Sequence, residues 1–473
     1  MNDYKIYNAG KFISTTKILE VTNPYDASVV AKTYQAGQQE LEEAITAAEK
    51  VQKEMQKLPS YKRYEILMQI ADGLTKDRKR LGKVLAQESG KPLIYAQGEI
   101  DRAAQTFVVA AEEAKRLPSE YMSLDWTASG KGKEGIVKYF PVGLVAGIAP
   151  FNFPLNLAVH KVAPAIAAGC PIILKPASST PLSTLELAKI IDKTDLPKGA
   201  VSIIPMDRES GNQLVTDERF KLLSFTGSPV VGWEMKKHAG KKKVVLELGG
   251  NAGVIVTETA NMDKAIKQSL IGAFSYSGQV CIHAQRIYVQ KSAFNTFVEE
   301  FTEATKGLKF GDPCDKNTDV SSMIDEKNAM RIESWVNEAV KDGAKVLYGG
   351  ERKGTFYTPT ILSNTTLDMK VCSLEAFGPI VVIEPFDTFQ EAIDMVNTSV
   401  FGLQAGVFTN SLKEMKYAHE ELEVGGVVIN DIPTFRVDHM PYGGVKDSGL
   451  GREGVKYAMH DMLEPRILII DNN

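Results

Sequence analysis

The sequence is poor in the residues that build metal centres and covalent frameworks. Its four cysteines, Cys170, Cys281, Cys314 and Cys372, lie far apart and form no C-x-x-C pair. That argues against a disulfide framework and a structural zinc site. The six histidines show no H-x-x-x-H spacing, so no metal is expected. A basic excess is also lacking: 55 Lys and Arg stand against 59 Asp and Glu, a formal net charge of -4. Nucleic acid is therefore a poor candidate partner. No apolar run approaches the roughly 18 residues of a membrane span, so no membrane association is expected. Residues 1–5, MNDYK, are polar and carry no apolar h-region, which predicts no signal peptide and a cytoplasmic protein. What remains is ordinary globular composition, 44% hydrophobic and 24% charged in 473 residues. At roughly 100–200 residues per domain, that length suggests two to four domains.

Apolar residues recur at Leu41, Ala44, Ile45, Ala48, Val51, Met55 and Leu58. This is the stripe of an amphipathic helix over 38–58. Further helices are read over 61–74 and 94–117. Residues 119–139 read as two extended arms around the turn SGKGK at 129–133. An isolated two-stranded hairpin is marginal in water, so this ribbon is expected to dock on another subunit. From 142 onward, strand-length apolar runs alternate with helical stretches. Strands are read at 142–149, 172–174, 201–204, 222–225 and 244–246, with helices over 155–168 and 184–191. The pattern restarts after Gly250 with a strand at 254–256, a helix over 262–274, a strand at 285–289 and a helix over 293–307. The segments 325–342, 381–385 and 389–397 continue it. Continuous apolar strands between helices imply parallel sheets covered on both faces. The expected fold class is α/β, with two parallel-sheet domains.

Several residue patterns can carry chemistry. Glycine-rich stretches punctuate strand ends at 225–232, 247–250, 276–281 and 441–446, where open α/β sheets bind ligands. No P-loop and no G-x-G-x-x-G occurs. Gly227 and Ser228, followed by Gly232 on a helix, are compatible with phosphate held by backbone N–H groups, or with an ordinary turn. Cys281, after Gly278-Gln279-Val280, is either an exposed low-pKa thiol or a small buried hydrophobe. Glu247 interrupts an apolar strand, where burial would raise its pKa toward that of a general base; alternatively it caps a helix. Asn152 stands between two prolines in PFNFP, placed to donate to an oxyanion or to satisfy the turn.

Together these pieces resemble the aldehyde dehydrogenase superfamily across nearly the whole chain. The matching motifs are PFNFP at 150–154, KPA at 175–177, FTGS at 225–228, LELGG at 246–250 and GQVC at 278–281. EAFGP at 375–379, FGLQAGVFT at 401–409 and PYGGVKDSGLGRE at 441–453 follow in the family's order. The resemblance implies that Cys281 is the nucleophile, with an oxyanion held by Asn152 and the Cys281 N–H. It implies that Glu247 activates the hydrolytic water and that Lys161 lies near the catalytic loop. It implies NAD or NADP as cofactor, bound by Lys175, Ser178, Gly227, Ser228, Gly232, Leu248, Glu375 and Phe377. Many NAD-preferring members carry a glutamate where this chain has Ser178, so NADP is expected to be accepted alongside NAD.

The branch it looks most similar to holds lactaldehyde, non-phosphorylating glyceraldehyde-3-phosphate, phosphonoacetaldehyde and sulfolactaldehyde dehydrogenases. Arg102 and Arg436 match anion-holding positions of the phosphorylated-triose members. The third such arginine is Val280 here, with His283 nearby. The expected substrate is a short, polar, anionic aldehyde, with a neutral hydroxyaldehyde as the alternative. A CoA-acylating dehydrogenase is the rival class, and Glu247 argues against it. The resemblance further implies a Rossmann-like dinucleotide-binding domain (1–118 and 140–248) and a catalytic domain (249–446). Residues 119–139 and 447–473 would form a β oligomerisation arm and tail, giving a homodimer or homotetramer.

Overall fold

The structure, a computed structural model, describes residues 2–472. Its first large sheet runs in the order Gly449–Leu450, Lys243–Glu247, Leu222–Thr226, Val145–Ile148, Ile172–Lys175, Val201–Ile203, Ile6–Asn8, Lys11–Ile13. The five central strands are parallel and the outer ones antiparallel. Strand residues feed opposite cores in alternation, as the pleat demands. Ile172 and Leu174 pack with Leu67, Phe107 and Val162 from the helices Ser60–Lys76, Leu93–Ala114 and Asn156–Ala168. Ile173 packs with Leu41 and Ile45 of the helix Gln38–Lys57 on the other face.

The second sheet is ordered Lys345–Tyr348, Thr360–Ser363, Ile380–Phe386, Ala284–Gln290, Ala252–Val256, Gln404–Phe408, Gly426–Ile429. All neighbours are parallel except the first pair. Val254 and Val256 meet Phe297 and Phe301 of the helix Phe294–Lys306, while Ile255 faces Ile393 and Ala418 on the other side. The mixed α/β class with two sheet-centred bodies is therefore the observed one.

A third sheet joins Ser119–Ser123, Lys133–Pro141 and Leu463–Asp471, all antiparallel. The ribbon thus takes its third strand from the C-terminal segment. Within the segment assigned to the tail, Gly449–Leu450 instead pairs with Leu246 and Glu247 in the first sheet. Among the described residues no helix is long and apolar enough to cross a membrane, and no group of His, Cys, Asp and Glu could hold a metal ion.

Three helices carry little warning in the sequence. Arg208–Thr216 contains Gly, Asn and Thr, and is started by the Asp207 side chain accepting from the Ser210 N–H at 2.8 Å. Leu412–Glu421 buries only Ala418 and is capped by Ser411. Arg78–Ser89 follows the preceding helix through Asp77 alone, with no breaker between. Side-chain caps start the first two, while Arg78–Ser89 has no side-chain cap and is held by the packing of Leu81, Leu85 and Ala86.

One buried carboxylate sets the loop that approaches the site. Glu99 Oε1 accepts from the N–H groups of Leu155 and Asn156, at 3.0 and 3.1 Å, at the start of the helix Asn156–Ala168. Its other oxygen pairs with Lys91, and both side chains are fully buried. The Lys91 ammonium also lies 3.7 Å from the Phe153 ring centroid and 4.5 Å from that of Tyr276. Glu99→Ala strands a buried ammonium and two N–H donors, so unfolding free energy is expected to drop by about 3–5 kcal/mol in urea titration. A loss below about 1 kcal/mol would show that the pair does not hold the loop.

Candidate functional site

The site is built where the ends of both large sheets face each other. Between the helix Met262–Phe274 and the strand Ala284–Gln290, the chain makes a tight turn. Tyr276, Ser277 and Gly278 all have left-handed backbone, at φ 49°, 54° and 67°. Such a run costs on the order of 1–2 kcal/mol per non-glycine residue. It is held by Tyr276 donating to the Ser89 carbonyl at 3.0 Å and by Ser277 donating to the Ser321 carbonyl at 2.7 Å. A Cβ on Gly278 would stand 2.2 Å from the Gly378 oxygen, so glycine is required there.

This turn presents Cys281 at the junction of two cavities. One, of about 340 Å³, is lined by Arg102, Phe153, Cys281, Thr434, Arg436 and Tyr442 among others. The other, of about 420 Å³, is lined by Asn152, Glu247, Leu248, Cys281, Glu375 and Phe377 among others. Burial pushes the Cys281 thiol up to about 11, opposed by the Tyr442 hydroxyl 3.0 Å away and by the Arg436 charge. Glu247 is 3% exposed, and neither of its oxygens has a hydrogen-bond partner among the described residues. Burial and the neighbouring Glu453 carboxylate raise its pKa well above the usual range. Asn152, also 3% exposed, donates its amide to the Gln279 carbonyl at 3.1 Å, beside the Cys281 turn. A thiol, a carboxyl poised to take a proton and an amide donor thus share one wall.

Behind that wall lies a chain of buried charges. Lys161 Nζ donates to Thr226 Oγ1 at 2.7 Å and reaches Glu453 Oε1 at 3.4 Å. Arg436 Nη2 donates to Glu453 Oε2 at 2.8 Å and stands 3.3 Å from His160 Nε2. That nitrogen is 2.8 Å from Asp438 Oδ1, to which Arg102 also donates at 2.7 Å. Burial works against ionisation of Glu453, yet Lys161, Arg436 and His160 hold its carboxyl down to about 2. Burial also depresses Lys161 and His160. Lys161 thus approaches the site from behind, through Thr226 and Glu453, and lines none of the three cavities.

A third cavity, of about 980 Å³, is lined by Lys175, Ser178, Arg208, Val230, Glu234 and Met235 among others. It lies on the other side of the 225–231 segment from the Glu247 cavity. Between them, Ser228 starts the helix Pro229–His238 without spending its hydroxyl on the cap. The first N–H groups of such a helix suit a phosphate. Glu375 accepts from the Gly250 N–H at 3.0 Å, and its pKa is pushed by burial to about 7. Gly249 leaves room for it, since a Cβ there would fall 2.3 Å from Glu375 Oε2. Phe377 is fixed by a left-handed backbone, φ 47°, and an edge-on contact with Phe151 at 5.8 Å. A cation and a hydroxyl at one end, a helix N-terminus in the middle and a carboxylate with an aromatic ring at the other fit a dinucleotide.

Two residues from the sequence reading sit elsewhere. His283, grouped with the substrate arginines, is 2% exposed and lies beneath Gly278, outside the cavity lined by Arg102 and Arg436. Burial drops its pKa to about 4, so it is a neutral interior side chain. Gly232 lies within the helix, where a Cβ would meet Leu248 Cδ2 at 2.3 Å; its smallness serves helix packing. Residues without an assigned role in the sequence reading are Tyr442, Glu453, Asp438 and Arg208. Tyr442 and Glu453 lie within the quoted PYGGVKDSGLGRE motif, and polar groups flanked by glycines there were the available signal.

A long groove beside a thiol and a buried carboxyl defines a cofactor-dependent oxidoreductase site. The model of the aldehyde dehydrogenase family matches residues 12–468, so the chain belongs to that family and is an NAD(P)-dependent aldehyde dehydrogenase. It is 42% identical over 472 residues to the 3-sulfolactaldehyde dehydrogenase of Priestia megaterium, covering 100% of this chain and 98% of the relative. Among solved structures, aldehyde dehydrogenase 21 from Physcomitrella patens, in complex with the reaction product succinate, superposes with a TM-score of 0.98. Its identity is 46%, with 100% of this chain and 98% of that one covered. Glyceraldehyde-3-phosphate dehydrogenase from Methanocaldococcus jannaschii, complexed with NADP, gives a TM-score of 0.91 at 40% identity, covering 96% and 99%. The Priestia and Methanocaldococcus relatives carry names from the branch that the motifs resemble.

Proposed function

We propose that the enzyme oxidises a short, polar, anionic aldehyde to its carboxylic acid through a covalent adduct on Cys281. The observation that carries this reading is the position of Cys281 between a cavity with two arginines and a cavity with Glu247. Cys281 as thiolate adds to the aldehyde carbonyl, and the developing oxyanion is met by the Asn152 amide and the Cys281 N–H. NAD(P), when bound, would serve as the acceptor for the hydride lost as the thiohemiacetal on Cys281 becomes a thioester. Lys175, Ser178 and Ser228 would hold its adenosine and phosphate portion, and Glu375 and Phe377 its nicotinamide portion. Glu247 then takes the proton of the water that hydrolyses the thioester, a step its raised pKa suits. Lys161 tunes Glu247 from behind through its positive charge.

The Nε groups of both Arg102 and Arg436 are buried and have no hydrogen-bond partner among the described residues. Two guanidiniums lining the cavity beside the thiol support an anionic substrate of the lactaldehyde, glyceraldehyde-3-phosphate or sulfolactaldehyde type. The Priestia relative is named for sulfolactaldehyde and the moss structure holds succinate, which supports the same charge class. The test is a substrate panel with Arg102→Ala and Arg436→Ala. KM is expected to rise at least tenfold for anionic aldehydes and to hold steady for neutral ones. Unchanged KM for every anionic aldehyde removes the anion pocket. In the same assay Cys281→Ala should lose turnover yet bind cofactor, and added CoA should yield no acyl-CoA; acyl-CoA formation would favour the acylating class.

Both cofactors are read as substrates, since Ser178 rather than a carboxylate stands at the ribose position and Arg208 lines the same cavity. The expected kcat/KM values for NAD and NADP lie within about a hundredfold of each other; a several-hundred-fold preference for NAD rejects this.

We also infer the domain division expected from the sequence, with Gly449–Leu450 counted in the first sheet rather than the tail, and a homodimer or homotetramer built through the arm. The strand Leu463–Asp471 exposes Ile467, Leu468 and Ile469 at 44%, 57% and 56%, an apolar edge that asks for cover. Sedimentation should give an oligomer for the parent and a smaller species for Leu468→Glu; a monomeric parent would overturn the assignment.

A further inference from the structure

We propose that Tyr442 is a further catalytic residue, whose phenolic hydroxyl donates a hydrogen bond to the Cys281 sulfur and stabilises it as the attacking thiolate. The proposal rests on the reading of Cys281 as nucleophile. Tyr442 Oη stands 3.0 Å from Cys281 Sγ, and both residues line the cavity that holds the two arginines. The ring is 3% exposed and is held on two sides. Its backbone exchanges hydrogen bonds with Glu453, N to O at 3.0 Å and O from N at 2.6 Å. Its face carries the Arg436 guanidinium, whose carbon is 3.8 Å from the ring centroid, and that arginine is tied to Glu453.

The chemistry fixes the direction of the bond. A thiolate has no proton, so in the reactive state sulfur accepts and the phenol donates. A cation over the ring draws electron density from it and makes the O–H a stronger donor. Burial keeps the phenol itself protonated well beyond its usual range, so Tyr442 is a donor throughout and never the base. Such a donor is needed: desolvation moves the thiol the wrong way, and the thiol stands at about 11 even with Tyr442 and Arg436 opposing that rise. On ionisation the Cys281 proton leaves to water. The sulfur pair then forms the C–S bond, the carbonyl π pair moves to oxygen, and Tyr442 keeps its O–H bond. The same arginine that lines the proposed anion cavity therefore also polarises the group that activates the nucleophile.

Tyr442→Phe removes the hydroxyl and leaves the ring, the stacked arginine and the backbone pairing. The rate of Cys281 alkylation by iodoacetamide, followed against pH in the full chain without aldehyde and mapped by peptide mass, reads the thiol pKa directly. The apparent pKa is expected to rise by about one unit, which lowers the alkylation rate at neutral pH about tenfold. The kcat should fall in step, with KM for aldehyde within about twofold and NADP binding, read by fluorescence titration, unchanged. An alkylation profile shifted by less than about 0.3 unit, with NADP binding intact, overturns the proposal. Cys281→Ala separates the two readings. If that variant still turns over, the nucleophile assignment falls and the proposal with it. If it is inactive while Tyr442→Phe alkylates like the parent, only the role of Tyr442 falls.

Discussion

A buried row of alternating charges, Arg102, Asp438, Arg436, Glu453 and Lys161 with His160 between, is the constraint on which the site depends. Each member except Arg102 is at most 5% exposed at its side chain. Isolated, any of these charges would be prohibitively costly to bury; in sequence, each has an opposite neighbour at hydrogen-bond distance. The row draws on the helices Leu93–Ala114 and Asn156–Ala168, the 434–438 loop and the segment after Gly451. Because a missing partner would leave a naked charge, these elements have one arrangement available to them. That arrangement also sets the electrostatics in front: Glu453 keeps Glu247 from ionising easily, while Lys161 and Arg436 limit how far its pKa climbs.

As the proposed nucleophile, Cys281 has to meet two opposed demands. Exclusion of water strengthens every hydrogen bond to a developing oxyanion, but it also penalises the thiolate. The structure divides the work between the two cavities. Positive charge and the Tyr442 hydroxyl approach the sulfur from the arginine side, and the amide of Asn152 and the carboxyl of Glu247 stand on the cofactor side. The left-handed turn at 276–278 is what makes this division possible. It brings the residue after Val280 to the boundary between cavities rather than burying it in either core. Glu99 and Lys91 support the same boundary from below by fixing the Phe153 loop and the Tyr276 ring together.

The sheets and most long helices were legible in the sequence because each leaves a local periodic trace. The stripe from Leu41 to Met55 is the buried face of Gln38–Lys57, and apolar runs at 172–174, 222–225 and 254–256 fall inside observed strands. Arg208–Thr216 and Leu412–Glu421 were not legible, since a mostly exposed helix held by caps has no stripe to read. The same distinction runs through the site. Cys281, Glu247 and Asn152 stand out because a polar or nucleophilic group is set among glycines, prolines and strand residues. His283 shows that nearness in sequence says nothing about direction: two residues past Cys281 the side chain already lies beneath Gly278, away from the cavity lined by Arg102 and Arg436. Tyr442 was passed over because its partner is 161 positions away, and Arg436 gave no sign of Glu453.

The charge accounting sharpens what kind of recognition the arginine cavity can perform. Arg102 is matched by Asp438 and Arg436 by Glu453, so the end of the cavity is close to electrically neutral despite its two guanidiniums. Both guanidiniums still line the cavity, so on the proposed reading they act through directed N–H donors rather than surplus positive charge. An anion is then favoured mainly through hydrogen-bond geometry, where a bidentate oxyanion gains most and a hydroxyl gains less. A third arginine would have added net charge, but Val280 stands in that place and contributes only apolar wall. On the proposed reading, discrimination between anionic and neutral short aldehydes is set by how well the oxygens at the far end of the substrate meet the two guanidiniums while the carbonyl lies over Cys281. Substrate length, and not charge alone, decides whether both ends can be satisfied at once.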